Sequence, residues 1–202
     1  RKYLFVKASP ASGKSRAMMF VALDKLANQG VKKVIVAVPQ QNIGRSFNDT
    51  PLKKFGFFAD WVVAPYWNLR IDAGSDESKK GKLREFLDYP SAPILICTHA
   101  TLLNALNGIE ASKLDNIFFG IDEFHHGSAD EDNRLGTLIR RLLNQTSAHI
   151  LAMTGSYFRG DAVPVMRPED EAKFQPTINY NYYQQLNGYR WLKSLGIGYS
   201  FF

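Results

Sequence analysis

Cysteine is almost missing from this chain: the single thiol, Cys97, sits inside the apolar run Pro93–Cys97. One cysteine cannot close an intramolecular disulfide, and zinc sites built on cysteine need several thiolates, so neither staple is available and a reducing cytoplasm is the expected home. Long apolar runs are missing as well. No stretch approaches the roughly 20 residues needed to cross a bilayer, and Arg1-Lys2-Tyr3-Leu4-Phe5-Val6 is too short for a secretory signal, so no membrane association is expected. Internal repeats and low-complexity tracts are likewise absent.

What remains has the balance of one globular domain with an appendage: 202 residues, 45% hydrophobic and 22% charged. Lys and Arg outnumber Asp and Glu by 25 to 19, a formal net charge of +6 that favours a polyanionic partner. Many basic proteins bind no nucleic acid, so this bias needs support from motifs.

Short apolar, β-rich runs recur at Tyr3 to Val6, Val34 to Val38, Trp61 to Ala64, Pro93 to Cys97, Ile117 to Ile121 and His149 to Met153. Helix-like stretches separate them, the pattern of an α/β fold with a central mostly parallel sheet covered on both faces. Met18, Met19, Ala22, Leu23 and Leu26 form a helical stripe, with Gly30 where a C-cap is expected. Further helices are predicted near Gln41 to Phe47, Lys79 to Tyr89, Thr101 to Asn107 and Asn133 to Asn144. The polar segment Asp72 to Lys82 reads as a solvated loop entering a helix, in preference to a nucleic-acid patch at Lys79, Lys80, Lys82 and Arg84. After Met153 the alternation stops. Residues 1–160 are therefore expected to form one lobe, and 161–202 a linker and the start of a following, truncated unit.

The first strand runs into Ala8-Ser9-Pro10-Ala11-Ser12-Gly13-Lys14-Ser15, and a helix pattern begins at once. Strand, small-residue loop, Gly-Lys-Ser and helix form the context of a phosphate-binding loop. The loop from Ser9 to Ser15 would wrap the phosphates with its available backbone amides, Lys14 would reach the β- and γ-phosphates of ATP, and the Ser15 hydroxyl would face Mg²⁺. Ala8 and Ala11 stand where the general pattern or many relatives carry glycine, and alanine lacks glycine's freedom at positive φ.

The buried-strand pattern Ile117–Ile121 delivers Asp122-Glu123-Phe124-His125-His126 from its carboxyl end, the edge where parallel α/β sheets bind ligands. Two adjacent carboxylates suit two tasks: Asp122 on Mg²⁺, Glu123 orienting and deprotonating an attacking water. Zinc ligation by His125 and His126 loses on spacing, because HExxH and HxxEH patterns are absent and adjacent residues point in different directions.

These residues together resemble the superfamily-two helicases, particularly the branch shared with type III restriction-enzyme (ResIII) motor subunits and DEAD/DEAH proteins. Ala8 to Ser15 resembles motif I, Asp122-Glu123-Phe124-His125 motif II, and Thr154-Gly155-Ser156 with Phe158-Arg159 motif III. Val38-Pro39-Gln40-Gln41-Asn42 looks like motif Ia, and Cys97-Thr98-His99-Ala100-Thr101-Leu102 like motif Ib. The resemblance covers residues 3 to 160. It implies a three-layer RecA-like P-loop NTPase lobe that hydrolyses ATP with Mg²⁺ and contacts nucleic acid, DNA in preference to RNA. It implies backbone contacts from Pro39, Arg45, Thr98 and His99, and coupling of nucleotide state to polymer grip through His125, Thr154, Gly155 and Ser156. It also implies a second RecA-like lobe, missing from this chain, that supplies arginine fingers. Arg140-Arg141 reads as a solvated helix face, and no adenine-recognising segment precedes motif I. Two other readings stay open: a P-loop small-molecule kinase, which explains Lys14 and Ser15 but not the acidic pair, and a non-catalytic nucleotide-binding module.

Overall fold

The structure is a computed structural model that describes residues 1–39, 46–124, 134–155 and 167–188. The β-rich runs become β1 (Tyr3–Ala8), β2 (Lys33–Val38), β3 (Ile94–Thr98), β4 (Ile117–Ile121) and β5 (His149–Thr154), joined by a sixth strand, β6 (Ile178–Tyr180). They form one sheet in the order β3-β2-β4-β5-β1-β6, and every pairing is parallel. The registers Val38↔Thr98, Ala37↔Ile121, Ile121↔Ala152 and Lys7↔Thr154 bring the carboxyl ends of β1 to β5 to a common edge.

Side chains alternate between the two faces of the sheet, as the period of two in a strand requires. Val34, Val36, Val38, Ile96, Phe118, Leu151 and Met153 pack with Met18, Met19, Ala22 and Leu23 of α1 (Lys14–Asn28). Ile35, Ala37, Leu95, Cys97, Phe119, Ile121 and Ala152 face the other way, onto α2 (Asp76–Asp88), α3 (His99–Leu106) and α4 (Arg134–Gln145). The predicted helices near Lys79, Thr101 and Asn133 are these three; the one near Gln41 to Phe47 falls largely outside the described residues. Gly30 takes the left-handed φ of 69° expected after α1.

Three expectations change. Trp61–Ala64 is not a strand: Trp61 makes an isolated antiparallel bridge to Thr50, its buried indole donates to Phe47 O at 3.0 Å, and Pro65 then opens a 3-10 turn. An apolar run alone does not distinguish a strand from an anchored loop. Arg140 and Arg141 are not a solvated face. Arg140 pairs at 3.0 Å with the buried carboxylate of Asp170, and Arg141 donates to the carbonyls of Leu106 and Ile109. Residues 167–188 are not a bare linker: α5 (Pro168–Ala172), β6 and α6 (Tyr182–Gly188) lie there, and β6 extends the sheet beside β1. The Asp72–Lys82 segment is the expected polar loop entering a helix, capped by Ser75 at the start of α2, and Lys82 pairs with Asp72 at 2.6 Å while Arg84 donates to Ala105 O and Asn107 O. These contacts occupy Lys82 and Arg84, two of the four cations that a nucleic-acid patch would have to present.

Candidate nucleotide site

The loop between β1 and α1 is shaped by two left-handed residues, Ala11 (φ 58°) and Gly13 (φ 88°). For Gly13 this costs little, whereas for Ala11 it stores roughly 1 kcal/mol or more that the surroundings must offset. Gly13 occupies the N-cap of α1, yet no side chain caps the helix, and its first turn holds no acidic residue. The contrast is α2, where Ser75 accepts from the Ser78 amide and Asp76 and Glu77 occupy the first turn. A helix start left with free N–H groups, its positive dipole end and Lys14 suits an anion.

Lys14 Nζ donates to Ala8 O at 3.0 Å and Ser9 O at 3.1 Å, and lies 3.8 Å from Glu123 Oε1. Glu123 reaches this position because its own φ is +46°, which turns the chain sharply at the end of β4. Its other oxygen, Oε2, accepts from the Gly155 amide at 2.9 Å, just past β5. Lys14, Glu123 and Gly155, singled out in three separate motifs, thus meet at the carboxyl edge of the sheet.

Asp122 lies one residue earlier and continues the ladder, its amide donating to Ala37 O at 2.9 Å and its Oδ1 accepting from the Glu123 amide at 3.1 Å. Burial, and next the nearby Glu123 carboxylate, push the Asp122 pKa up to about 6, with Lys14 pulling the other way. A buried carboxylate in that state gains from an added cation. The donor types available, a hydroxyl at Ser15 and a carboxylate at Asp122, are the oxygen ligands that Mg²⁺ prefers.

The residues expected on the nucleic-acid side divide. Thr98 caps α3, its hydroxyl accepting from the Thr101 amide at 3.2 Å. The His99 ring is buried and turns inward, its Nε2 3.0 Å from Asp122 O, so that motif Ib touches motif II. Pro39 follows β2 and is half-buried. Thr154 is the buried last residue of β5. Arg45, His125 and Ser156 lie outside the described residues. A 360 Å³ pocket on the outer side of α3 and α4, lined by Leu103, Leu106, Arg134, Leu138 and Arg141 among others, shares no residue with this site. One contact had no signal in the sequence: the Gln185 side chain, from α6, reaches Ser9 and Pro10.

A parallel sheet with a phosphate-loop geometry after its first strand and a carboxylate pair after its fourth defines a RecA-like α/β domain. The DEAD/DEAH box helicase profile matches residues 1–160, and the chain belongs to that family. It is 54% identical over 201 residues to the Bacillus subtilis (strain 168) protein named "Putative ATP-dependent helicase YeeB", covering all of this chain and 33% of that protein. The chain therefore spans about a third of that relative's length. Among solved structures, the helicase domain of Pyrococcus furiosus Hef superposes with a TM-score of 0.56 at 17% identity, over 89% of this chain and 35% of Hef, a likeness of fold. Among the described residues no helix is long and apolar enough to cross a membrane.

Proposed function

We propose that this chain is the ATP-binding first lobe of a cytoplasmic, nucleic-acid-dependent motor, with DNA the preferred polymer. The observation that carries the reading is the meeting of Lys14 and Glu123 at 3.8 Å, with the Gly155 amide fixing the carboxylate from the far side.

In this reading Lys14 exchanges the carbonyls of Ala8 and Ser9 for the β- and γ-phosphates of ATP, and the amides of Ala11, Gly13, Lys14 and Ser15 at the uncapped start of α1 hold the remaining charge. Ser15 and Asp122 would hold Mg²⁺, which supplies positive charge against the phosphate oxygens. Glu123 orients the attacking water and accepts its proton. Its position answers to Gly155, so a shift at the end of β5 is felt at the catalytic carboxylate; Thr154, Gly155, Ser156 and His125 then form the coupling layer. Pro39 and Thr98, with Arg45 by the family resemblance, would contact the polymer, while His99, turned inward, ties that side to Asp122 through the main chain. A second lobe supplies the arginines that complete the transition-state charge balance.

The test is phosphate release from ATP and Mg²⁺ by this chain and by the longer protein, each with and without single-stranded DNA or RNA. Polymer-stimulated turnover confined to the longer protein is expected, and the stimulating polymer identifies the track. Glu123→Gln should abolish turnover while nucleotide binding persists, and unchanged turnover would remove Glu123 from its role as base. Transfer of phosphate to a small-molecule acceptor, with little release to water, would favour a kinase.

A further inference from the structure

The phosphate loop is tied to an element far away in sequence. Ser9 is the hub of its entry turn: the Ser9 carbonyl accepts from the Ser12 amide at 3.3 Å and from Lys14 Nζ at 3.1 Å. The Ser9 amide donates to Tyr180 O of β6 at 3.2 Å, and the Ser9 hydroxyl donates to Gln185 Oε1. The same carboxamide donates through Nε2 to Pro10 O at 3.3 Å, and the Gln185 amide is itself held by Asn181 O at 3.0 Å. Ser9 and Gln185 are 4% and 1% exposed, so neither can exchange its partner for bulk water. A buried polar pair of this kind is costly to leave half-made.

From this geometry we propose that Gln185 is a positioning residue for nucleotide binding, acting through Ser9 and Pro10. The loop needs such a hold because Ala11 adopts a left-handed φ of 58° without glycine's freedom. A strained residue of this type persists only where its neighbours over-determine it. Downstream, Gly13 and α1 fix the loop; upstream, the Gln185 carboxamide fixes the two residues before Ala11. Residues 167–188 lie beyond the span matched by the family profile, so this hold belongs to the chain's own continuation from β6 into α6. A pull on that continuation would loosen the grip on phosphate. The inference rests on the reading of Ser9 to Ser15 as the nucleotide loop.

The test uses binding of a fluorescent N-methylanthraniloyl ATP, together with KM and kcat for ATP, in the full-length protein. Gln185→Leu should raise the dissociation constant and KM about five- to tenfold, the equivalent of one or two buried hydrogen bonds, with kcat changed less than about twofold. Ser9→Ala, which removes one of the two contacts, should shift both constants in the same direction by less, and the double variant should be no worse than Gln185→Leu alone, because the Ser9 contact is already lost there. Gln185→Met, which keeps the length of the side chain but neither polar atom, should match Gln185→Leu, and it carries the test if Gln185→Leu does not fold. Unchanged affinity in the variants, or additive losses in the double variant, would overturn this proposal alone. Failure of the wild-type protein to bind the probe would overturn the nucleotide reading and this proposal with it.

Discussion

Glu123 and Gly155 sit on successive crossings of the sheet, and the Gly155 amide donates to Glu123 Oε2 at 2.9 Å. A side chain there would crowd both partners. A Cβ at residue 155 would lie 3.0 Å from Glu123 Oε1 and 3.0 Å from Lys14 Nζ.

Gly155→Ala is therefore expected to displace the carboxylate by a few tenths of an ångström while leaving the buried core intact. Reacting groups tolerate such shifts poorly, and turnover should fall about tenfold or more. Thermal unfolding should change little, because only the flexible ends of Glu123 and Lys14 must give. Steady-state phosphate release alongside a melting curve checks both halves. Wild-type turnover in this variant would mean that the carboxylate position is not set by Gly155.

The convergence behind that prediction was legible in the sequence because each residue is fixed locally: Lys14 by the strand-loop-helix junction, Asp122 and Glu123 by the end of a fully buried strand, Gly155 by the end of the next. Their meeting follows from the parallel order of the sheet. Gln185 was not legible, since its place depends on a three-residue edge strand, Ile178–Tyr180, that carries no alternating pattern and forms only by pairing with β1. The inward turn of His99 was hidden for a similar reason, as its partner is a main-chain carbonyl 23 residues away. The run Trp61–Ala64 misled in the opposite direction, because one buried indole can anchor a loop as firmly as a strand.

Gly120, in the middle of β4, is required by packing. A Cβ there would come within 2.5 Å of Met18 Sδ on α1, and Met18 is fully buried. Gly120→Ala should cost about 1–3 kcal/mol by overpacking. The double variant Gly120→Ala with Met18→Val should recover part of that loss, because the shorter side chain vacates the space. Denaturant melts of the two single variants and the double give the coupling, and strict additivity would show that the strain lies elsewhere.

Arg140 and Asp170 hold α5 to α4. The Asp170 carboxylate is 5% exposed and accepts from Arg140 Nε at 3.0 Å, while Lys7 and Glu171 add a longer contact at 3.5 Å nearby. Arg140→Met strips the carboxylate of this partner and should destabilise the lobe by about 1–3 kcal/mol. Pairing Arg140→Met with Asp170→Asn removes the stranded charge and should be milder than the sum of the single changes. Denaturant unfolding followed by circular dichroism measures this. No loss in Arg140→Met would show that the Arg140–Asp170 pair adds little to the stability of the lobe.

His149 gives the fold a pH dependence of predictable sign. It opens β5 as a buried residue, and among the described residues its Nδ1 has no hydrogen-bond partner. Burial, followed by the neighbouring cations Lys25 and Lys2, lowers its pKa from 6.5 to about 4. Above pH 6.5 the ring is neutral in both folded and unfolded chains, and it imposes no penalty. As pH falls from 6.5 towards 4, the unfolded chain binds a proton that the folded chain refuses, so stability declines across that window. The slope from one such group is at most about 1.4 kcal/mol per pH unit. Replacing the ring by an amide, His149→Gln, should remove this decline between about pH 6.5 and about pH 5 and leave the opposite contribution of Asp122, whose pKa raised to about 6 favours the fold as pH falls. The comparison of the two pH profiles cancels Asp122, common to both proteins, while the lowered pKa values of Asp24, Asp72 and Asp115 act below that window. Parallel profiles in wild type and His149→Gln would show that the ring is protonated in the fold as readily as outside it.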